Sequence, residues 1–183
     1  MRIISGKYGG RIIKPPGNFK ARPTTELARE GLFNILSNHF YFEDLEVLDL
    51  FSGTGSIGFE FASRGAERVD MIEKNYHHFK FIRKVIEILQ TENTRVVKAD
   101  FFKTIQNIHQ TYDIVFADPP YNLKEFEKVP ELILSKTILK SDGWFILEHP
   151  SHYQFNSLAG FFDLRIYGSV NFSFFKNPSL VGK

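Results

Sequence analysis

Residues 47–60, VLDLFSGTGSIGFE, join an apolar run to a glycine-rich turn and then to a second, differently spaced apolar pattern. The run LEVLDLF (45–51) reads as a short buried strand, and SIGFEFASRG (56–65) as a helix stopped by a glycine. Between them Gly53, Gly55 and Gly58 match G-x-G-x-x-G, a spacing that lets backbone approach a nucleotide-like ligand at a helix start. Glu73 lies twenty residues after Gly53 at the end of the next strand, where an acid can accept hydrogen bonds from ribose hydroxyls.

The same alternation continues outward. RVDMIE (68–73), TRVVKAD (94–100), YDIVFAD (112–118) and GWFILEH (143–149) read as strands. YHHFKFIRKVIEILQ (76–90), a short stretch after Asp100 and a segment near 125–139 read as the intervening helices. FDLRIYG (162–168) and VNFSFFK (170–176), joined by a tight Gly-Ser turn, form a closing antiparallel pair. Strands that alternate with helices imply a parallel sheet covered on both faces.

Upstream, RIIS (2–5) and RIIK (11–14) flank GKYGG and suggest a hairpin. KPPGNFKARP (14–23) reads as a loop, and Thr24 or Thr25 can cap a helix that runs to about His39. Ala28, Leu32, Ile35, Leu36 and His39 would face inward; Arg29 falls off that stripe, toward a ligand. A boundary near residue 42 separates this appendage from the main sheet.

With 183 residues the chain suits one domain with a real core, and most of its twenty phenylalanines should fill it. The absence of cysteine removes disulfides, thiolate zinc sites and a catalytic thiol, and fits a reducing, cytoplasmic setting. There is no apolar signal-peptide core at the N-terminus and no run of the ~18 apolar residues a membrane helix needs. His149 and His152 lack a well-spaced third ligand, so no metal is expected. Net charge is +2, but residues 1–25 carry six basic side chains (Arg2, Lys7, Arg11, Lys14, Lys20 and Arg22) and no acid. Such an arm attracts phosphates.

Two features bear on the cofactor. Asp49 ends the first strand where a dinucleotide would bring its pyrophosphate, and two anions there would repel. S-adenosylmethionine brings an ammonium and a sulfonium instead, and an acid suits both. Asp100 closes the third strand and is placed for an adenine amino group. Asp49, Glu73, Asp100 and Asp118 thus end successive strands, at the sheet edge where open parallel sheets bind ligands.

FADPPYN (116–122) ends a buried strand with an acid and two prolines that cannot join a ladder. An exocyclic amine on a nucleobase attacks a methyl group only after its nitrogen pyramidalises. Asp118 and the Pro119 carbonyl, restrained by Pro120, supply acceptors for the amine hydrogens. Tyr121 offers a ring on which an extruded base can stack. On the residues alone the base could be guanine or adenine. A nicotinamide-dependent oxidoreductase and a catalytically silent binding protein are the other classes in play.

VLDLFSGTGSIGFE, IEKN, VVKAD and DIVFADPPYN resemble class I S-adenosylmethionine-dependent methyltransferases that act on exocyclic amines. RIISGKYGGRIIKPPG…ARPTTELAREGLFNIL, with ILEH and YGSVNFSFFK near the C-terminus, is similar to the RsmD family of ribosomal RNA guanine-N2 methyltransferases, across residues 1–176. The resemblance implies a doubly wound, mostly parallel seven-stranded Rossmann-like α/β sheet. It implies residues 1–42 as an RNA-binding hairpin and helix, and 43–183 as the methyltransferase domain. It implies methylation of a guanine N2 in 16S ribosomal RNA on assembled or partly assembled small subunits, with ribosomal proteins contributing to recognition, by a cytoplasmic monomer. Asp49, Phe51, Ser52, Gly53, Thr54 and Gly55 then belong to the cofactor loop. Glu73 and Lys74 belong with ribose, Asp100 and Phe101 with adenine, and Asp118, Pro119, Pro120 and Tyr121 with the target base. Arg2, Lys7, Arg11, Arg22, Thr24 and Arg29 are the implied RNA contacts. Ser52 and Gly31 stand where the family commonly has alanine. A glycine inside a helix costs about 1 kcal/mol.

Overall fold

The computed structural model describes residues 1–17, 19 and 24–177, so Lys20 and Arg22 of the basic arm lie outside the described residues. The elements run α1 (Glu26–Ser37), β1 (Glu46–Leu50), α2 (Ser56–Ser63), β2 (Arg68–Glu73), α3 (Tyr76–Leu89), β3 (Thr94–Lys98), α4 (Phe101–Thr104), β4 (Tyr112–Ala117), α5 (Lys128–Leu134), β5 (Leu139–His149), β6 (Phe161–Tyr167) and β7 (Val170–Lys176). They build one seven-stranded sheet of order β3-β2-β1-β4-β5-β7-β6. β1 to β5 are parallel, and β7 runs antiparallel to both β5 and β6. This is the doubly wound α/β architecture expected from the alternating pattern. The strand order reverses between β1 and β4, the point at which such sheets open a ligand crevice.

Strand side chains alternate, and the core divides accordingly. Val47, Met71, Ile114, Phe116, Ile146, Phe172 and Phe174 pack against Leu32 and Phe33 of α1, Ile57 and Phe61 of α2, and Ile82 and Val85 of α3. Leu48, Leu50, Val115, Ala117, Phe145, Leu147 and Phe175 pack on the other face with Phe101, Val129 and Ile133. Each fully buried aromatic or branched side chain contributes roughly 1.5–3 kcal/mol.

The N-terminal hairpin is reduced to one antiparallel bridge, Arg2 with Ile12, flanked by backbone bonds Ile3 N–H to Arg11 O (3.0 Å) and Gly10 N–H to Ile3 O (2.9 Å). Its partner is less the opposing segment than α2. The buried carboxylate of Glu60 accepts from the N–H groups of Ile4 (2.7 Å) and Ser5 (3.1 Å) and from Arg64 Nε (2.9 Å). Lys7 N–H donates to Ser63 O (2.6 Å) and Tyr8 N–H to Ser63 Oγ (2.9 Å). Ile3, Tyr8 and the apolar residues of α1 join the same apolar cluster as the sheet, so the N-terminal turn and α1 share its core.

Two other elements differ from expectation. α5 ends at Leu134 rather than near 139, and β5 begins early, at Leu139, because a bulge opposite Tyr112–Ile114 lets residues 139–143 continue the strand. Lys140 on that extension pairs with Glu46 (2.9 Å) and Asp113 (2.8 Å). Gly31 in α1 has a steric reason: a Cβ there would stand 2.3 Å from Tyr167 Cε1, so the tyrosine ring occupies the space a methyl would take.

Gly6 has φ 79°, and a Cβ on it would stand 1.9 Å from the Ser63 carbonyl oxygen. Gly6→Ala must therefore lift the turn off α2, losing the bonds to Ser63 and straining a left-handed residue. The expected cost is about 2–4 kcal/mol in urea-unfolding experiments, whereas Gly10→Ala, with open space around its Cβ, should cost less.

Candidate active site

The glycine loop follows β1 through two left-handed residues, Phe51 (φ 61°) and Gly53 (φ 54°), and a third at Gly55 (φ 73°), the residue that opens α2. Ser52 pins the turn: its N–H donates to Ile72 O (3.0 Å) and its hydroxyl to Asp49 O (2.8 Å). A Cβ at Gly55 would lie 2.7 Å from the Phe59 ring. At Gly58 it would lie 2.7 Å from Met71 Sδ and 3.2 Å from Asp49 Oδ2. The third glycine thus lets α2 settle onto β1 and β2 and brings its own N–H to Asp49 Oδ2 at 3.1 Å.

Register puts the acids together. Asp49 aligns with Met71 on β2 and with Phe116 on β4, and Phe116 aligns with Ile146 on β5. Two residues farther along each neighbour stand Glu73, Asp118 and Glu148, on the same face by alternation. All four line one cavity of about 890 Å³, together with Phe51, Ser52, Gly53, Thr54, Lys74, Asp100, Phe101, Pro119, Pro120, Tyr121 and Thr24. Gly55 shapes the loop from behind this lining.

The carboxylates are unlike one another. Asp49 is 1% exposed, and burial, against the opposing Gly58 bond, pushes its carboxyl up to about 8. Asp118 is held well above the usual carboxylate range, first by burial and then by Glu148 and Asp49. Glu73 accepts from the N–H groups of Gly53 (2.8 Å) and Asn75 (2.6 Å). Asp100 lies below the usual range because Lys74 Nζ sits 2.7 Å away, and it caps α4. Phe51 and Phe101, centroids 4.9 Å apart, form an apolar wall beside it.

Glu148 was not singled out by sequence reasoning. It is 4% exposed; its Oε2 accepts from Thr24 Oγ1 (2.6 Å) and its Oε1 from the Tyr121 hydroxyl (3.3 Å). The signal was present in ILEH, an acid near the end of a buried apolar strand, as at the four acids that were recognised. Thr25, not Thr24, caps α1, which leaves Thr24 for this contact.

The basic residues divide. Lys7 and Arg11 are exposed, both over the Tyr8 ring (5.5 and 5.4 Å), and Arg2 pairs with Glu26 at 3.2 Å. Arg29 corrects the expectation of a ligand-facing side chain. It is 3% exposed and donates through Nη2 to Arg2 O (2.6 Å), which ties α1 to the N-terminal bridge. His149 is buried between Pro150 O (3.0 Å) and Ser173 Oγ (2.8 Å).

The family model described as conserved hypothetical protein 95, that of RsmD, matches residues 1–176. The chain belongs to the RsmD family. Ribosomal RNA small subunit methyltransferase D of Escherichia coli K12 is 33% identical over 144 residues, covering 79% of this chain and 69% of that one. The protein of the same name from Buchnera aphidicola subsp. Baizongia pistaciae is 32% identical over 148 residues, covering 81% and 75%. The solved structure of YhhF from Escherichia coli superposes with a TM-score of 0.83 at 28% identity, over 96% of this chain and 97% of that one. In this RsmD-family chain the glycine loop and the Asp118–Tyr121 corner therefore open into one cavity, within a fold its relatives share.

Asp49 gives a signed pH dependence. Its folded-state pKa, about 8, exceeds the ordinary 3.8, so the folded protein binds more protons between those values and loses stability as pH rises through them. Asp49→Asn removes that slope. Its stability relative to the parent should increase by a few kcal/mol from about pH 4 to pH 8, read by urea denaturation at a series of pH values.

Proposed function

We propose that the protein methylates the exocyclic N2 amine of a guanine in 16S ribosomal RNA, on assembled or partly assembled small subunits in the cytoplasm, with S-adenosylmethionine as donor. The observation that carries this reading is the single cavity into which the glycine loop and the Asp118-Pro119-Pro120-Tyr121 corner both open. Family membership and relatives named as small-subunit ribosomal RNA methyltransferases support it.

The residues fit the donor on structural grounds. Gly55 and Gly58, where a Cβ would strike Phe59 and Met71, keep the loop close against the sheet so that its backbone faces the cavity, where a buried carboxyl has its ionisation suppressed. When bound, S-adenosylmethionine supplies an electrophilic methyl on a sulfonium, which leaves as a thioether as the amine nitrogen takes the methyl. Asp49 would receive the ammonium and ionise. Glu73 would receive the ribose hydroxyls on lone pairs its two backbone donors leave free. Phe51 and Phe101 would flank the adenine, with Asp100 accepting from its amino group and Lys74 holding Asp100 in place.

On the base side Asp118 and the Pro119 carbonyl accept from the amine hydrogens and turn the nitrogen lone pair toward the methyl. The same carboxyl, raised by burial and by Glu148, is the acceptor for the proton that leaves N2. Tyr121 carries the ring on which the extruded guanine stacks. Lys7 and Arg11, with Arg2, supply phosphate contacts outside the cavity.

Incubation of small subunits with labelled donor, followed by nucleoside mass spectrometry, tests the reading. N2-methylguanosine is expected; N6-methyladenosine, or no methylated nucleoside, overturns it. Asp118→Ala should lower turnover by about 10²–10⁴-fold with donor affinity by calorimetry within a few-fold. Lys7→Ala with Arg11→Ala should weaken subunit binding and reduce the slope of log affinity against log salt by about one to two.

A further inference from the structure

We propose that Glu148 selects the base: its carboxylate accepts the N1–H of the guanine whose N2 amine lies against Asp118. The inference rests on the guanine-methylating reading above and adds a reader to it.

The placement comes from the sheet. Ala117 on β4 aligns with Leu147 on parallel β5, so Asp118 and Glu148 are the next residues on adjacent strands and point to one face. Both line the cavity, and Glu148 is buried within it. Glu148 is also held in orientation. The Thr24 hydroxyl donates to one oxygen at 2.6 Å and the Tyr121 hydroxyl reaches the other at 3.3 Å, so the carboxylate is fixed beside the ring proposed to stack the base. A carboxylate oxygen has two acceptor lone pairs, so accepting one bond does not by itself close it to another donor.

The chemistry follows from what each base offers. Guanine presents two neighbouring donors, N1–H and the N2 amine. Two neighbouring carboxylates, one per donor, are their complement. Adenine presents its amine beside an N1 lone pair, which would face a buried carboxylate with no hydrogen between them. An acceptor opposed to an acceptor in a desolvated site is penalised far more than a missing contact, so the second carboxylate turns a site for amines into a site for guanine. Asp118 is raised first by burial and next by Glu148, and that second contribution, a mutual repulsion, is relieved when two donors enter. The role is distinct from that of Asp118, which faces the reacting nitrogen.

The probe is 2-aminopurine, which keeps the 2-amino group and replaces N1–H with a lone pair. Small subunits are reconstituted with guanine or 2-aminopurine at the position mapped by the nucleoside experiment. Unmutated protein should prefer guanine by at least about tenfold in kcat/KM. Equal rates overturn the proposal without recourse to any variant. Glu148→Gln, whose amide can donate to that lone pair, should lower the guanine rate and shift the guanine to 2-aminopurine ratio by at least about tenfold. The same shift should appear as relative affinity in competition binding with S-adenosylhomocysteine in place of the donor. A Glu148→Gln protein that loses both activities equally, with the ratio unchanged, shows Glu148 to be an anchor for Thr24 alone and overturns the assignment. Methylation of adenine rather than guanine by the unmutated protein is the separate outcome in which the underlying reading fails.

Discussion

A carboxylate kept from water at the end of β1, with the N–H of Gly58 on its oxygen, is the constraint around which the site is arranged. To place that N–H, α2 must begin close to the sheet, which a side chain at residue 58 would prevent. To begin there, the chain must turn sharply after Leu50, which takes left-handed backbone at Phe51, Gly53 and Gly55. The result is a pocket biased toward positive charge at one end. On the proposed reading, the cost of burying Asp49 without a cation is what a cationic donor would relieve on entering.

The other end of the cavity is organised by β4 and β5. Asp118 and Glu148 are brought side by side by parallel pairing, an arrangement unfavourable for the empty protein and suited to a ligand with two adjacent donors. Structural tasks are kept on separate acids. Glu60 holds the N-terminal turn, and Asp70 accepts from Tyr112 and Arg95 away from the site. The protein thus has acids that fasten the fold away from the cavity, Glu60 and Asp70, and acids that line it, Asp49, Glu73, Asp118 and Glu148.

Much of this was legible in the residues. The strand–glycine–helix alternation gave the sheet, and acids at the ends of apolar runs gave Asp49, Glu73, Asp100 and Asp118. Glu148 escaped because it sits one residue before a histidine in a run that reads simply as core, and because its importance comes from pairing with β4, a relation of register that linear spacing does not express. Arg29 is hard to place for the complementary reason: helical periodicity marks the faces of an isolated helix, but the N-terminal segment at Arg2 packs on a second face of α1. The shortened hairpin and the early start of β5 have similar origins, in docking against α2 and in a bulge opposite Tyr112–Ile114.

The hydrogen bond from Thr24 to Glu148 spans 124 positions of the chain. The glycine loop and the acids of β1 to β3 that line the cavity are made early in synthesis, whereas Glu148 needs β5 and the strand that returns beside it. A ribosome producing this protein therefore releases the glycine loop before the strand that carries Glu148. The cavity is complete only once β5 has paired with β4 and Val170 of β7 has joined the lining, so most of the chain must be made before the cavity exists.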